Sequence, residues 1–438
     1  MSLSKLKSKL IVKEDPETVQ SPKNQSHQQN DNSQNTEDID EVDDQGQSVL
    51  MGIISQLRPG CDLSRITLPT FILERKSMLE RITNQLQQPD LVIKAHQSKT
   101  ELDRFLLIVK WYLSGWHIAP KAVKKPLNPV LGEYFTSWWD LSNGDQAFYI
   151  SEQTSHHPPK SSYFYMIPNH NIRVDGAIIP KSRFLGNSTA AMMDGITVCQ
   201  FLDILDSKGQ PEKYTLTQPN MYARGILFGK MRIELGDHMI IKSPTTGYSI
   251  DIEFKVKGFI SGSYDSIEGI VKDPQGKSIY EITGKWNDVI YLKNLTNGEK
   301  TVFWDTKKSN PQPPKVRPLE EQGEFESRNL WKSVTDALGQ RNHELATEEK
   351  FKIEDHQRVL RQKRIEDGVE FHPKLFIKSK NPDDELEYYL YKSIPNDADP
   401  ETKTKLILET VPILPGQKFT ESFEIPGFKK LSINDDVE

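Results

Sequence analysis

Apolar positions along this 438-residue chain follow a helical rhythm, then a strand rhythm, then a helical one again. Leu50, Ile53, Ile54 and Leu57 recur at helical spacing. Ser48 stands before them as an N-cap and Arg58-Pro59-Gly60 after them as a stop, so the spacing predicts one short amphipathic helix. Helical patterns follow over Lys76–Leu86 and Glu101–Leu113, and in the second Leu102, Phe105, Leu106, Val109 and Leu113 form one stripe. From Tyr134 to Asp305 the texture changes to short β-rich runs broken by Gly, Asn, Asp and Pro. These include Tyr134–Trp139, Phe148–Ile150, Tyr163–Ile167, Ile172–Ile179, Ile226–Leu235, His238–Lys242, Asp251–Ile260 and Ile279–Trp286. Alternation such as Ile252-Glu253-Phe254-Lys255-Val256 turns one apolar face inward and one polar face outward. Many such strands in succession predict a meandering antiparallel barrel rather than a helix-alternating sheet. A barrel of that size can enclose an apolar ligand.

After the proline-rich break at Pro311–Pro318 the helical rhythm returns. Glu324–Leu338 carries Leu330, Trp331, Val334 and Leu338 on one side. Thr347 is placed to cap a long, highly charged helix running to about Asp367, with Gly368 as its stop. The end beyond Phe376 mixes Pro, Asp and Lys with patches such as Leu406–Leu414, and is expected to pack loosely against the barrel. The organisation read from these shifts is a disordered acidic N-terminal tail (1–45), a segment (46–73) that the resemblance given below makes a lid and tunnel mouth, a core of helices and barrel (74–310) and a C-terminal helical subdomain with a tail (311–438).

Residues 1–45 are too polar to offset their ordering entropy and read as disordered. They end in six acids within the eight positions Glu37–Asp44, either a solubilising tail or an electrostatic brake at anionic membranes. The whole chain is 36% hydrophobic and 27% charged, which suits a soluble protein with a real core. A net charge of -6 lends nothing to nonspecific nucleic-acid binding. Met1–Lys13 holds no continuous apolar stretch, so no signal peptide is visible. Leu102–Leu113 is interrupted by Asp103, Arg104 and Lys110 and is too short to span a bilayer. Cys61 and Cys199 lack metal-like spacing and fit buried thiols in a reducing compartment.

The chemistry concentrates at Ser155-His156-His157-Pro158-Pro159, with Glu152 just ahead. Each proline restrains the residue before it, and neither offers an N–H to a sheet, so the run belongs at a strand end or edge. Four imidazole nitrogens are presented there to an anion, a metal or a substrate. Neighbours on a strand point to opposite faces, which makes the two histidines a poor ligand pair for one ion. No Gly-x-Ser-x-Gly nucleophile turn occurs, Gly186-Asn187-Ser188-Thr189-Ala190 lacking the last glycine. Gly276-Lys277-Ser278 ends like a phosphate loop, but Val271 holds the required first glycine position. Anion binding fits better, because Lys124/Lys125, His156/His157 and the set Lys350, Glu354, Arg358 all supply cations. The last three stand at i, i+4 and i+8 on one helical face, where a solvated salt-bridge ladder is the rival reading.

Residues 151–159 resemble the signature of the oxysterol-binding-protein-related lipid transfer family, with Thr154 where that signature has valine. Lys124-Lys125-Pro126-Leu127-Asn128-Pro129 with Leu131-Gly132-Glu133 resembles a second family block, and the spacing Lys350, Glu354, Arg358 a third. From about Gly46 to about Phe376 the chain looks like one lipid-binding domain. It is most similar to the short yeast-type branch that exchanges phosphatidylserine for phosphatidylinositol 4-phosphate.

The resemblance implies an α+β fold, a large incomplete antiparallel β-barrel around a lipid tunnel. An N-terminal lid helix (Leu50, Ile53, Ile54, Leu57) and flanking helices complete it. It implies no enzyme and no cofactor or metal. Lys125, His156, His157, Lys350, Glu354 and Arg358 would hold the phosphoinositide headgroup. Leu68, Lys125, Asn128 and Ser182 would serve phosphatidylserine. Expected partners are the two lipids, membrane surfaces met transiently and an endoplasmic-reticulum tethering protein, with no nucleic acid. The expected location is cytoplasmic, peripheral at contacts between endoplasmic reticulum and plasma membrane. Two alternatives stay open: a sterol in place of phosphatidylserine, and a lipid-gated scaffold or sensor that transports nothing.

Overall fold

The computed structural model of the chain describes residues 60–61, 70–118, 124–225, 232–256 and 263–418. The expected lid positions Leu50, Ile53, Ile54 and Leu57, together with Leu68, lie outside them. Strand β1 (Leu73–Ser77) pairs in parallel with β2 (Lys125–Leu127) as a separate two-stranded unit. The remaining strands up to residue 305 build one large antiparallel sheet. They are β3 (Tyr134–Asp140), β4 (Gln146–His156), β5 (Pro159–Ile167), β6 (Ile172–Phe184), β7 (Ser188–Leu205), β8 (Pro211–Leu216), β9 (Asn220–Arg224), β10 (Arg232–Lys242), β11 (Ser249–Lys255), β12 (Ser266–Lys272), β13 (Ser278–Lys285), β14 (Val289–Asn294) and β15 (Lys300–Asp305).

Sheet order follows chain order almost throughout, with β9 set aside to bridge β7 and β10. β3 and β15 end the path without pairing each other, so the barrel is incomplete. The outer edge of β3 is covered instead by the 315–326 segment, through Lys315 opposite Trp138 and Glu326 beside Tyr134.

Two kinds of strand explain two kinds of sequence. In β11, Ile250, Ile252 and Phe254 are buried while Asp251 and Glu253 are exposed, the alternation expected of a sheet wet on one side. In β3–β5 both faces are buried. Phe135, Tyr149, Tyr163 and Tyr165 join the core beneath helices α1 (Pro89–His96) and α2 (Glu101–Ser114). On the other face Tyr134, Trp138, Phe148, Ile150, Phe164 and Met166 need a second cover. Inside, Tyr163 donates to or accepts from Thr197 at 2.5 Å; Gly176 opposite leaves the room, since a Cβ there would stand 2.2 Å from the Tyr163 ring. Arg104 of α2 holds Glu212 of β8 in a buried fork at 2.8 and 2.7 Å.

The second cover is the C-terminal segment, and here the expectation of loose packing fails. Leu375, Phe376, Leu390, Ile394, Ile407, Val411 and Ile413 are all buried against β3–β5. They come from the hairpin β16 (Phe376–Lys378) with β17 (Tyr388–Leu390), the helix at Pro400–Thr410 and their flanks. The compact body thus runs well past Phe376, because the doubly apolar strands leave a face that this segment covers.

Three local expectations also shift. Lys76–Leu86 is not one helix: Lys76 belongs to β1, Ser77 caps a single turn, and a tight 3-10 stretch follows. The helix expected over Glu324–Leu338 breaks into a turn at Ser327–Leu330 and α3 (Lys332–Gly339). The long helix α4 (His343–Asp367) starts before Thr347: Asn342 accepts the N–H of Leu345, and Thr347 donates back to the His343 carbonyl. Gly368 ends α4 in the left-handed region at φ 63°, as its sequence position foretells.

Candidate headgroup site

Lys125 opens β2, whose parallel pairing to β1 fixes where the side chain starts. The neighbouring Lys124 donates to the Phe71 carbonyl at 3.0 Å. Eight residues on, Glu133 is wholly buried and accepts from Ser77, from Ser327 at 2.7 Å, from Trp331 Nε1 at 2.9 Å and from the Val130 N–H at 3.0 Å. Burial pushes its pKa up, and the four donors pull against that. This knot joins β1, the block after β2 and the turns leading to α3 and α4.

His156 ends β4 and Pro159 opens β5 directly opposite, so His157-Pro158 is the hairpin turn, with a cis peptide between them. Ser155 donates to the Pro158 carbonyl at 2.8 Å across that turn. The imidazoles meet edge to face, 4.7 Å between centroids. Opposite-facing neighbours were expected of a strand; the pair comes together because His157 lies in the turn. Behind it, Glu152 is wholly buried and accepts the N–H groups of Lys374 and Leu375, each at 2.8 Å.

Helix α4 is fastened at both ends. Thr70 donates to the His343 carbonyl at 3.1 Å, and Phe71 meets the His343 ring edge-on at the start. Past the end, Phe371 packs over Gly132 and under the Arg364 guanidinium. Between these anchors α4 is mostly solvated, Ala346 being its one buried residue.

Electrostatics locate what faces the mouth. Lys350 pairs with Glu354. Lys125 keeps solvent access, yet crowding by protein lowers its pKa, as does Lys350, while Glu354 raises it. The His156 pKa is lowered by burial first, then by His157 and Arg361, with Glu354 opposing. Its Nδ1 is buried without a hydrogen-bond partner. Lys125, His156, His157, Lys350 and Glu354, named from three distant stretches of sequence, therefore form one cluster in which Glu354 senses both Lys125 and His156.

Arg358 makes its contacts within its own helix. Its side chain is 60% exposed, pairs with Asp355 at 3.3 Å and covers the Phe351 ring. Arg361, absent from the expected set, adds its positive charge to the surroundings of His156. The signal was available: on an α-helix residue 361 lies about 20° from Lys350 around the axis, and residue 358 about 80°. Of the phosphatidylserine set, Asn128 is exposed just past β2, and Ser182 is half-buried on β6 opposite Ala191. Two residues beyond Ser182, Phe184 exchanges backbone hydrogen bonds with Gly60 and Cys61, at 2.6 and 3.0 Å. Both cysteines are free thiols. Among the described residues no three His, Cys, Asp or Glu side chains are arranged to hold a metal, and no helix is long and apolar enough to cross a membrane. The arrangement is a cationic cradle with one built-in carboxylate, suited to a phosphorylated, hydroxyl-bearing headgroup.

Residues 52–338 and 334–399 match the family model described as oxysterol-binding protein. The chain is 68% identical over 391 residues to oxysterol-binding protein homolog 6 of Saccharomyces cerevisiae, covering 89% of this chain and 87% of that protein. It is 67% identical to homolog 7 of the same yeast, covering 89% of each. The fold is similar to that of the Osh1 ORD domain solved with cholesterol (TM-score 0.68, 24% identity, 84% of this chain and 91% of that one). It is also similar to the Osh3 ORD of Saccharomyces cerevisiae solved with PI(4)P (TM-score 0.58, 23% identity, 78% and 89%).

Proposed function

The chain belongs to the oxysterol-binding protein family, and from that premise we propose that it exchanges phosphatidylserine and phosphatidylinositol 4-phosphate between membranes. The observation that carries this is the convergence of Lys125, His156, His157, Lys350 and Glu354 on one cationic cradle at the end of the barrel strands. A phosphomonoester offers several strong acceptors, which ammonium and imidazolium donors meet with charge-assisted bonds. Glu354 accepts from inositol hydroxyls, which a plain phosphate ion lacks. Phosphatidylserine uses Lys125, Asn128 and Ser182, with Leu68 beside the lid. Sharing Lys125 makes the two headgroups mutually exclusive, and mutual exclusion turns a binder into an exchanger.

No covalent step is needed. The barrier to lower is passage of acyl chains through water, about 0.8 kcal/mol per CH₂, and an apolar barrel interior lowers it. The protein works in the cytoplasm at contacts between the endoplasmic reticulum and the plasma membrane, placed there by a tethering partner. A sterol is the competing cargo, since the Osh1 ORD holds cholesterol. Mass spectrometry of the lipid co-purified with the protein separates the two: phosphatidylserine and phosphatidylinositol 4-phosphate are expected, and sterol as the main species overturns the exchange reading.

A further inference from the structure

The antiparallel register lines up inward-facing positions around the barrel. Ser151 of β4, Tyr163 of β5, Gly176 of β6, Thr197 of β7 and Leu216 of β8 stand directly opposite one another in turn, so they form one row on the face turned toward α2. Helix α2 climbs to this row from the far end of the barrel. Arg104 meets Glu212, Phe105 meets Tyr214 at 6.5 Å between centroids, and the Tyr112 hydroxyl reaches Thr197 at 3.5 Å. Through Phe201 and Ile172, Glu212 lies level with Ile167, the end of β5 remote from the histidine turn.

The character of the inward face changes at this row. Phe135, Tyr149, Tyr163 and Tyr165 are buried rings at or below it. Tyr149 stacks with Tyr163 at 6.2 Å, and Tyr165 meets Trp139 edge-on at 5.5 Å. The next row toward the histidine turn holds Gln153, Ser161, Ile178 and Gly195, none of them aromatic. Tyr163 is therefore the last ring of the stack. Its hydroxyl is fixed 2.5 Å from Thr197, and its ring fills the room that Gly176 leaves. The hydroxyls of Tyr112, Tyr163 and Thr197 satisfy one another within the row, so apolar groups can rest against it without stranding a buried polar atom.

Depth matches this boundary. From Ser151 to His156 is about 17 Å of strand, and from Gly176 to Ser182 about 20 Å. The tilt of barrel strands shortens both along the axis. One leaflet's hydrocarbon is about 15 Å deep, so a lipid with its headgroup at the mouth brings its chain ends to the Tyr163 row. We propose that Tyr163 is the floor of the cargo space and sets the longest acyl chain the protein takes up, a role that rests on the lipid-exchange reading above. A longer chain must leave methylenes without apolar cover, and each of these costs up to about fourfold in uptake. The property selected is hydrocarbon length, which the headgroup residues cannot read.

The test uses the full chain and liposomes holding phosphatidylserine species of graded saturated chain length in equal amounts, with mass spectrometry of the extracted lipid. Wild type is expected to take up species evenly to a limiting length, then to fall by up to about fourfold for each further methylene. Tyr163→Leu should move that limit to longer chains. Ile178→Phe, one row nearer the mouth, should move it to shorter ones. Ile407→Ala, on the other face of the sheet, should lower stability and leave the limit in place. A wild-type limit in Tyr163→Leu overturns the floor, as does an equal shift in Ile407→Ala. Should Tyr163→Leu extract no lipid, an unmoved limit in Ile178→Phe overturns the floor and a shortened one supports it. Wild type that extracts every length alike also overturns it. Wild type that extracts no phosphatidylserine overturns the exchange reading itself.

Discussion

The carboxylate of Glu152 accepts the backbone N–H of Leu375 at 2.8 Å, joining the histidine-bearing strand to a segment 223 residues further on. Its other oxygen takes the N–H of Lys374, and burial pushes its pKa up to about 7. A carboxyl whose pKa is raised in the folded state contributes stability below its unfolded pKa of about 4.3, and that contribution is lost as pH rises through about 7. Glu133 shifts in the same direction. The urea midpoint should therefore fall between pH 5 and pH 8, and Glu152→Gln should shrink that fall while costing about 1–3 kcal/mol at low pH through one mismatched backbone donor. Urea titrations of both proteins at the two pH values check this; an unchanged slope would remove Glu152 from the titration.

His156 points to a second pH effect, on binding rather than folding. Burial, His157 and Arg361 all hold its pKa below the usual imidazole range. A bound phosphate would raise it, so binding takes up protons and affinity should increase as pH falls from 8 to 6. The dissociation constant for phosphatidylinositol 4-phosphate vesicles, followed across that range, should lose this dependence in His156→Ala.

Substitutions should divide the two cargoes. Lys125→Ala is expected to weaken extraction of both lipids, because both headgroups use the ammonium. His156→Ala with His157→Ala should abolish phosphoinositide extraction and leave much of the phosphatidylserine extraction intact. Extraction of each lipid from liposomes, measured side by side, is the check; equal loss of both in the double variant would indicate a folding role for the histidines.

The C-terminal cover should behave as core. Ile407 is fully buried in the cluster with Phe148, Ile150 and Phe164. Ile407→Ala is expected to cost about 2–5 kcal/mol of unfolding free energy, as for other buried aliphatic truncations. Chemical denaturation measures it, and a loss below about 1 kcal/mol would mean the segment rests on the barrel without depending on it.

What could be read from the sequence depended on how local the determining physics was. The β4–β5 turn was legible because neither Pro158 nor Pro159 offers an N–H to a sheet, which places the run at a strand end. The antiparallel barrel was legible from alternation such as Ile252-Glu253-Phe254. β1 was not: Leu73–Ser77 is a strand because β2 lies some fifty residues away in parallel, and no local pattern carries that pairing. The face of α4 was legible as a face, but which strip looks at the barrel is set by the anchors at His343 and Phe371, and no local pattern carries those. The tight C-terminal cover had a signal that went unread. Tyr134-Phe135, Trp138-Trp139 and Phe148-Tyr149-Ile150 are apolar on both faces, and a strand like that must be covered twice.

Exchange itself is tested most directly by liposome transfer. Donor vesicles carry phosphatidylserine, and acceptors are prepared with or without phosphatidylinositol 4-phosphate. Faster phosphatidylserine delivery when the acceptors hold the phosphoinositide, matched by phosphoinositide moving the other way, is the predicted result. Phosphatidylserine transfer indifferent to the acceptor lipid, or sterol carried in its place, would contradict it.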